Sequence, residues 1–466
     1  MSVLFIANVG NRDVQVPGGT DLPREARLLG QQLLDEWPAV ADSLELPILV
    51  KALQWVVKKH GAPVDRVVLV ASDQQDEKYR PSDTILLAEV IARLLREHDK
   101  WNHLAKAEAI SIVRAEQSPA DYDYMLHVYE TLTKEVAAEG TYDQVYLAVS
   151  GGTPAMASML MFQGIRAFGE RALPLYVTPH RAMPISLDIG RKLTLDALVE
   201  DLERNVKDFQ YRAALSLVKA RRKLLAQEWK HEKYDALVAV LSYATQRFNF
   251  NFEEAEKAIF GADRGLPAPF ATRIHELADD LQARDEVWLM REEIYGAELD
   301  FFLGAYKDAL NNVFAFREEL LRQLVVRHGA HLIETEKGDM LAEDWLKREP
   351  GLEEYLKSKN IIPKRTATTY VFEHILRFKA ETMPDLAEFL DEITELKKLA
   401  DLRNKATHQH AGVSQSTLVD AFGGEISALL QHMWALYNRF TGTDKPAANP
   451  YDAINTLILD LIQAAP

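Results

Sequence analysis

The sequence predicts an α/β domain built on a doubly wound parallel sheet, followed by an all-α connector and a second all-α domain. Three observations carry this. Over the first 190 residues, short apolar runs alternate with amphipathic stretches. After about residue 195 the strand signal stops. From there to residue 466, amphipathic helical patterns follow one another with short polar breaks between them. The expected divisions are 1–192, 193–295 and 296–466, in keeping with a chain of 466 residues that is long enough for two or three cores.

Residues 3–9, 66–71, 109–113, 144–149 and 172–177 read as strands, because parallel strands covered on both faces are near-continuous apolar runs. Residues 23–37, 81–97, 122–138 and 154–168 read as the amphipathic helices between them. This alternation defines a Rossmann-like sheet, in which ligands sit beyond the carboxyl ends of the strands. Three loops at that edge carry suitable groups: Asn8-Val9-Gly10-Asn11-Arg12-Asp13, Ser72-Asp73-Gln74-Gln75 and Ser150-Gly151-Gly152-Thr153. In the helical half, breaks fall near residues 261–269, 337–338, 349–351, 359–363 and 442–450.

Composition narrows the function. An apolar fraction of 47% with 27% charged residues is that of a globular protein, and no apolar run reaches membrane-spanning length. The first residues lack a basic segment and lead into a strand, so no signal peptide is expected. There is no cysteine, which excludes disulfides, thiol catalysis and cysteine-ligated metals, and makes the cytoplasm the expected compartment. A net charge of −16 argues against coating nucleic acid through a broad basic face, although a small, locally basic site is compatible with it.

The Ser150-Gly151-Gly152-Thr153 loop follows a strand and precedes an Ala/Met-rich helix with Pro154 at its first position. Two glycines let backbone approach a ligand closely, and a helix start attracts phosphate. Glycines here also simply make a tight βα turn. A nucleophile elbow at Ser150 would need a histidine and an acid; His180 follows the next strand, but no acid is evident. No glycine-lysine-Ser/Thr phosphate loop occurs, and the first-strand loop lacks the third glycine of a dinucleotide fingerprint.

A second candidate is Arg403-Asn404-Lys405-Ala406-Thr407-His408-Gln409-His410, after the helical pattern of residues 386–402. A cation and an imidazole near a helix end suit RNA cleavage by internal attack. The histidine moves a proton, the arginine stabilises phosphate charge, and Asn404 positions either group, without a metal. The spacing also fits Arg93/His98, Arg96/His103 and Arg322/His328, which read as helix ends, and Arg403/His408 itself has the alternative of a surface helix cap. His328 and His331 with Glu334 and Glu336 match no zinc spacing and read as a solvated loop. The alternation Phe248-Asn249-Phe250-Asn251-Phe252 reads as the anchor of a turn.

Together these residues resemble a known layout. The strand–Ser150-Gly151-Gly152-Thr153–helix loop in a Rossmann-like domain is similar to the CARF domain, a sensor of cyclic oligoadenylates. Arg403-Asn404-x-x-x-His408, late in an all-helical domain, is similar to the HEPN ribonuclease motif. In this order they resemble the CARF–HEPN effectors of type III CRISPR antiviral defence, the Csm/Csx ribonuclease group. The likeness of layout spans nearly the whole chain, whereas its motifs are short.

The resemblance implies a homodimer whose strand-end loops form one symmetric pocket for a cyclic tetra- or hexa-adenylate, the allosteric activator. It assigns Gly10, Asn11 and Arg12 and Ser150, Gly151, Gly152 and Thr153 to that pocket, with Ser72, Asp73 and Gln74 added by topology. It places Arg403, Asn404 and His408 in a composite site across the dimer. There, single-stranded RNA would be cut without a metal or other cofactor, leaving a 2′,3′-cyclic phosphate and a 5′-hydroxyl. His410 also satisfies the spacing, and the shorter interval favours His408. Two other readings stay open: a non-catalytic nucleotide sensor whose helical half binds a partner, and a ring nuclease that cleaves its own ligand.

Overall fold

The structure is a computed structural model that describes residues 1–17, 23–178, 181, 183–282, 284–336, 338–362, 367–408, 412–443 and 448–464, with backbone only at 407–408. In chain order the first elements are β1 (Val3–Asn8), α1 (Ala26–Asp35), α2 (Leu49–His60), β2 (Arg66–Ser72), α3 (Ile85–Glu97), β3 (Ile110–Ala115), α4 (Tyr122–Glu139), β4 (Gln144–Ala148), α5 (Pro154–Phe168), β5 (Ala172–Tyr176) and β6 (Ile185–Ser186). Helices follow: α6 (Ile189–Lys207), α7 (Tyr211–Ala220), α8 (Arg222–Glu228), α9 (His231–Phe248), α10 (Phe252–Ile259), α11 (Ala268–Gln282), α12 (Glu286–Phe302) and α13 (Tyr306–Arg327). A hairpin of β7 (Leu332–Ile333) and β8 (Met340–Leu341) precedes α14 (Glu343–Leu346), α15 (Leu352–Ser358), α16 (Thr369–Ala380), α17 (Pro384–Glu395), α18 (Ala400–His408), α19 (Gln415–Phe422), α20 (Ile426–Thr441) and α21 (Pro450–Gln463). The chain divides into two compact units, Met1–Leu198 and Val199–Pro466.

In the first unit the sheet order is β3-β2-β1-β4-β5-β6, parallel except for the antiparallel β5–β6 pair. The order reverses between β1 and β4, which makes their carboxyl ends the topological switch point. Alternate strand residues enter two cores, as the two-residue period of a strand requires. Phe5, Ala7, Val67 and Leu69 share one with Leu33, Leu53, Val56 and Ile91 of α1, α2 and α3. Leu4, Ile6, Val68 and Leu147 share the other with Met125, Tyr129, Met156 and Leu160 of α4 and α5. Fully burying each Leu, Ile or Phe contributes about 1.5–3 kcal/mol.

The second unit is helical, as expected, apart from the β7–β8 hairpin, whose turn is closed by paired backbone bonds between Thr335 and Gly338. Two-residue strands leave no alternation that a sequence could display. Its main core runs from Met290 and Ile294 of α12 through Phe316 and Leu320 of α13 to Ile375, Leu390 and Met433. The last helix, α21, packs against α9 and α11. Tyr211 donates to Asn455 at 2.7 Å, and the Lys233 ammonium donates to the Ile462 and Ala464 carbonyls at 3.1 and 2.5 Å.

Arg247 on α9 is fully buried and bonded to Glu292 through Nε at 2.9 Å and Nη2 at 2.6 Å, with Asp280 at 2.7 Å and Tyr243 at 2.6 Å. The aromatic alternation is a turn: α9 ends at Phe248, Phe250 takes a left-handed φ of 57°, and Phe252 packs on Trp288 with ring centroids 4.9 Å apart.

Candidate functional site

At the switch point of the first unit lies a cavity of about 230 Å³ lined by Gly10, Asn11, Ser72, Gln74, Gly152 and Thr153, with Val9, Ser82, Thr84, Pro119 and Met156 completing its wall. Six of the ten strand-end residues singled out from the sequence therefore meet around one space. The local causes are steric. A Cβ on Gly10 would lie 2.9 Å from the Gly152 nitrogen, and one on Gly151 only 2.2 Å from the Asn8 carbonyl oxygen. Gly152 has a φ of +76°, which glycine adopts without strain. Thr153 then caps α5: its hydroxyl accepts from the Met156 amide at 3.2 Å and donates to the Pro119 carbonyl, with Pro154 at the first helical position.

The amides of Asn11, Gly152 and Thr153 have no acceptor among the described residues. Unspent N–H groups at a helix start are suited to an anion such as a phosphate. Asp13 braces the opposite loop, its carboxylate accepting from the Gly10 amide at 2.7 Å. Burial pushes the Asp13 carboxyl up to about 7, against the opposing pull of the Gly10 bond. Near neutrality this wall is thus only partly charged.

The remaining strand-end residues do other work. Ser150 spends its hydroxyl on the fold, accepting from the Val177 amide at 2.5 Å, and Gly151 is buried beside Asn8. Arg12 is exposed beside the cavity rather than part of its lining. Asp73 is held by Arg27 at 2.8 Å and Arg114 at 3.3 Å, so its carboxylate belongs to an ion-pair network. Ser72 exchanges bonds with Thr84, and Gln74 is fixed by Asp83 through both its amide (2.6 Å) and its side chain (2.9 Å). Gln74 also borders a neighbouring cavity of about 470 Å³ containing Gln75, Gln117, Tyr79 and Tyr124. His180, the histidine of the elbow reading, lies outside the described residues.

Asn8 was legible only as part of its loop, and the structure gives it a particular place. It is buried, its Oδ1 accepts from the Tyr129 hydroxyl at 2.5 Å, and its Nδ2 has no partner among the described residues.

In the second unit, Arg403 and Asn404 stand on α18, and His408 is its final residue. The Arg403 guanidinium lies 3.8 Å from Glu318 of α13 and 5.1 Å above the centre of the Phe314 ring. Asn404 is exposed, one helical turn before His408. His410 lies outside the described residues. The competing pairs have structural employment. Arg93 pairs with Glu97 at 3.1 Å, Arg96 donates to the Ile110 carbonyl at 2.6 Å, His98 meets Asp42 at 3.0 Å, and Arg322 meets Asp339 at 2.6 Å. His328 follows the end of α13, and His331 lies 3.9 Å from Asp344.

Residues 294–459, a span that contains α13 and α18, match the family described as the Cas_Csm6 HEPN domain. The second unit carries a Csm6-type HEPN domain. Among solved structures, Enterococcus italicus Csm6 bound to cyclic hexa-2'-fluoro-hexa-dAMP is similar over 99% of this chain and 100% of that one, with a TM-score of 0.64 at 13% identity. That likeness is one of fold. With the HEPN match and the six-stranded sheet, it gives this Csm6-like chain the architecture of a CARF–HEPN effector of type III CRISPR systems. No curated protein matches the sequence. No helix among the described residues is long and apolar enough to cross a membrane.

Proposed function

We propose that this Csm6-like protein is a cytoplasmic, homodimeric endoribonuclease that a cyclic oligoadenylate switches on during type III CRISPR antiviral defence. The observation that carries the reading is the placement of Arg403, Asn404 and His408 on one short helix inside the segment matched to the Csm6 HEPN domain. In this reading His408 moves a proton to or from the RNA 2′-hydroxyl or leaving oxygen, and Arg403 stabilises charge on the phosphate. The attack is internal, so one strand yields a 2′,3′-cyclic phosphate and a 5′-hydroxyl, and no metal is required. Two chains would each supply one Arg403/His408 pair to a shared site.

The sensor is the switch-point cavity. The free amides of Asn11, Gly152 and Thr153 suit the phosphates of the ring, and the adjoining cavity with Tyr79, Tyr124 and three glutamines suits its bases. The bound cyclic hexa-adenylate analogue of the E. italicus protein favours a six-membered ring here too. A ligand shifts the protein toward its active arrangement only by binding that arrangement more tightly. The division into 1–192, 193–295 and 296–466 remains part of this proposal, with the middle segment as connector.

The test is cleavage of a fluorogenic single-stranded RNA in EDTA, with and without cyclic tetra- and hexa-adenylate, followed by analysis of the product ends. Activator-dependent cleavage giving 2′,3′-cyclic phosphate ends supports the reading. Tight ring binding with no cleavage favours a non-catalytic sensor, and loss of the intact ring on incubation favours a ring nuclease.

A further inference from the structure

A row of aromatic rings runs across α15 and α16 in the second unit. Tyr370, near the start of α16, is 54% exposed. Its ring meets that of His374 edge to face, with centroids 4.5 Å apart, because residues four apart share one face of a helix. The His374 ring lies 6.1 Å from that of Tyr355 on α15, and the Tyr355 ring lies 5.3 Å from that of Phe378.

Cations gather beside these rings. The exposed Lys359 ammonium stands 5.5 Å from the centre of the Tyr355 ring, with no ion-pair partner among the described residues. Arg377 and Lys397, both partly exposed, meet the Glu373 carboxylate at 3.5 and 2.6 Å. Glu373 is buried and also accepts from the buried Arg317 at 2.9 Å, so one carboxylate is shared among three cations. Burial, and the charges of Lys359, Arg377 and Lys397 against that of Glu373, hold His374 below its ordinary value and leave its ring neutral at neutral pH. Cations still outnumber acids here when Glu381, whose charge reaches Tyr355, is counted. In a chain of net charge −16 this is the small, locally basic face that a nucleic acid requires.

The face adjoins Arg403 by two routes. Arg317 and Glu318 are neighbours on α13; the first is bonded to Glu373, and the second lies 3.8 Å from the Arg403 guanidinium. Lys397 belongs to the turn Leu396–Leu399 that runs directly into α18, within about 10 Å of helical rise of Arg403. We propose that this strip docks single-stranded RNA outside the cleavage site, with bases stacked on Tyr370 and Tyr355 and phosphates meeting Lys359, Arg377 and Lys397. The inference rests on the ribonuclease reading of Arg403 and deepens it: the strip holds the strand and takes no part in the chemistry. Aromatic faces beside cations that track the backbone are the general means of holding a single strand, because every base has a π-face. A duplex keeps its base faces stacked on one another, so the strip selects single strands.

The test is an anisotropy titration with a labelled single-stranded RNA in which 2′-fluorine replaces every 2′-hydroxyl, so that it binds but lacks the internal nucleophile. It is run in EDTA, with and without cyclic hexa-adenylate. Tyr370→Ala should weaken binding by about 5-fold or more, while Tyr370→Phe, which keeps the ring, should retain the wild-type affinity. Lys359→Gln should weaken binding several-fold and lower the slope of log affinity against log salt by about 0.7. Both side chains are exposed, so thermal unfolding of these variants should match wild type. Affinity unchanged in both Tyr370→Ala and Lys359→Gln overturns the strip, as does duplex RNA that competes as well as the single strand. Because binding is read without cleavage, the two claims fail separately. Cleavage of ordinary RNA that survives Arg403→Ala overturns the catalytic reading, whereas wild-type affinity in the two strip variants overturns only the docking strip.

Discussion

The Arg403 guanidinium lies 3.8 Å from the Glu318 carboxylate, so the proposed catalytic cation already has an anionic neighbour on α13. An RNA phosphate must compete with that carboxylate. Exposed ion pairs are worth about 0.2–1 kcal/mol, so Glu318→Gln should lower KM for RNA by up to about 5-fold, with less change in kcat. Steady-state kinetics at low and high salt check this, and the difference should shrink as salt rises. An unchanged or raised KM would show that the pair does not restrain Arg403.

Gly151 admits no side chain, because a Cβ there would lie 2.2 Å from the Asn8 carbonyl oxygen and 2.9 Å from the Asp13 carboxylate. Gly151→Ala should destabilise the first unit by about 1–3 kcal/mol, the usual penalty of overpacking. It should also push the two strand-end loops apart and weaken binding of cyclic hexa-adenylate. Thermal unfolding and equilibrium binding measure the two effects.

The Asp13 carboxyl is raised by burial to about 7 from an ordinary 3.8. The folded state therefore holds its proton more tightly than the unfolded chain. Its contribution to stability is fully present below pH 4 and is lost as pH rises through about 7. An ionised Asp13 also repels an anionic ligand, so ring affinity should fall between pH 6 and 8. Asp13→Asn, which still offers an acceptor to the Gly10 amide, should flatten both profiles.

Arg247 holds two acids inside the second unit. Removing one partner of a buried ion pair leaves an uncompensated charge, so Arg247→Met should cost about 3–5 kcal/mol. Denaturant unfolding would show it, and Arg247→Met combined with Glu292→Met should recover part of the loss.

Much of this molecule could be read from local pattern. β1 to β5 are near-continuous apolar runs, interrupted in β3 by Ser111 and Arg114, and the side chains of Asp121 and Thr153 cap the starts of α4 and α5. α2 is missing from the sequence reading although seven of its twelve residues are apolar, because prolines at 38 and 47 break up the stretch before it. The same contrast runs through the sites. Gly10, Gly152 and Thr153 announce themselves by turn and cap chemistry. Ser82, Thr84 and Pro119 join the same cavity only through the sheet's topology, and the tie between Ser150 and Val177 is a contact between two strand ends. Arg403 and His408 were visible as spacing, whereas Glu318 and Phe314 reach Arg403 from a helix distant in sequence.

The most direct test of the account is the rate of RNA cleavage in EDTA with cyclic hexa- or tetra-adenylate, compared among wild type, His408→Ala, His410→Ala and His98→Ala. General acid–base catalysis typically supplies about 10²–10⁴-fold, and His408→Ala should lose that much while His98→Ala keeps the full rate. Full activity in His408→Ala would contradict the assignment, and a loss confined to His410→Ala would move the catalytic imidazole there.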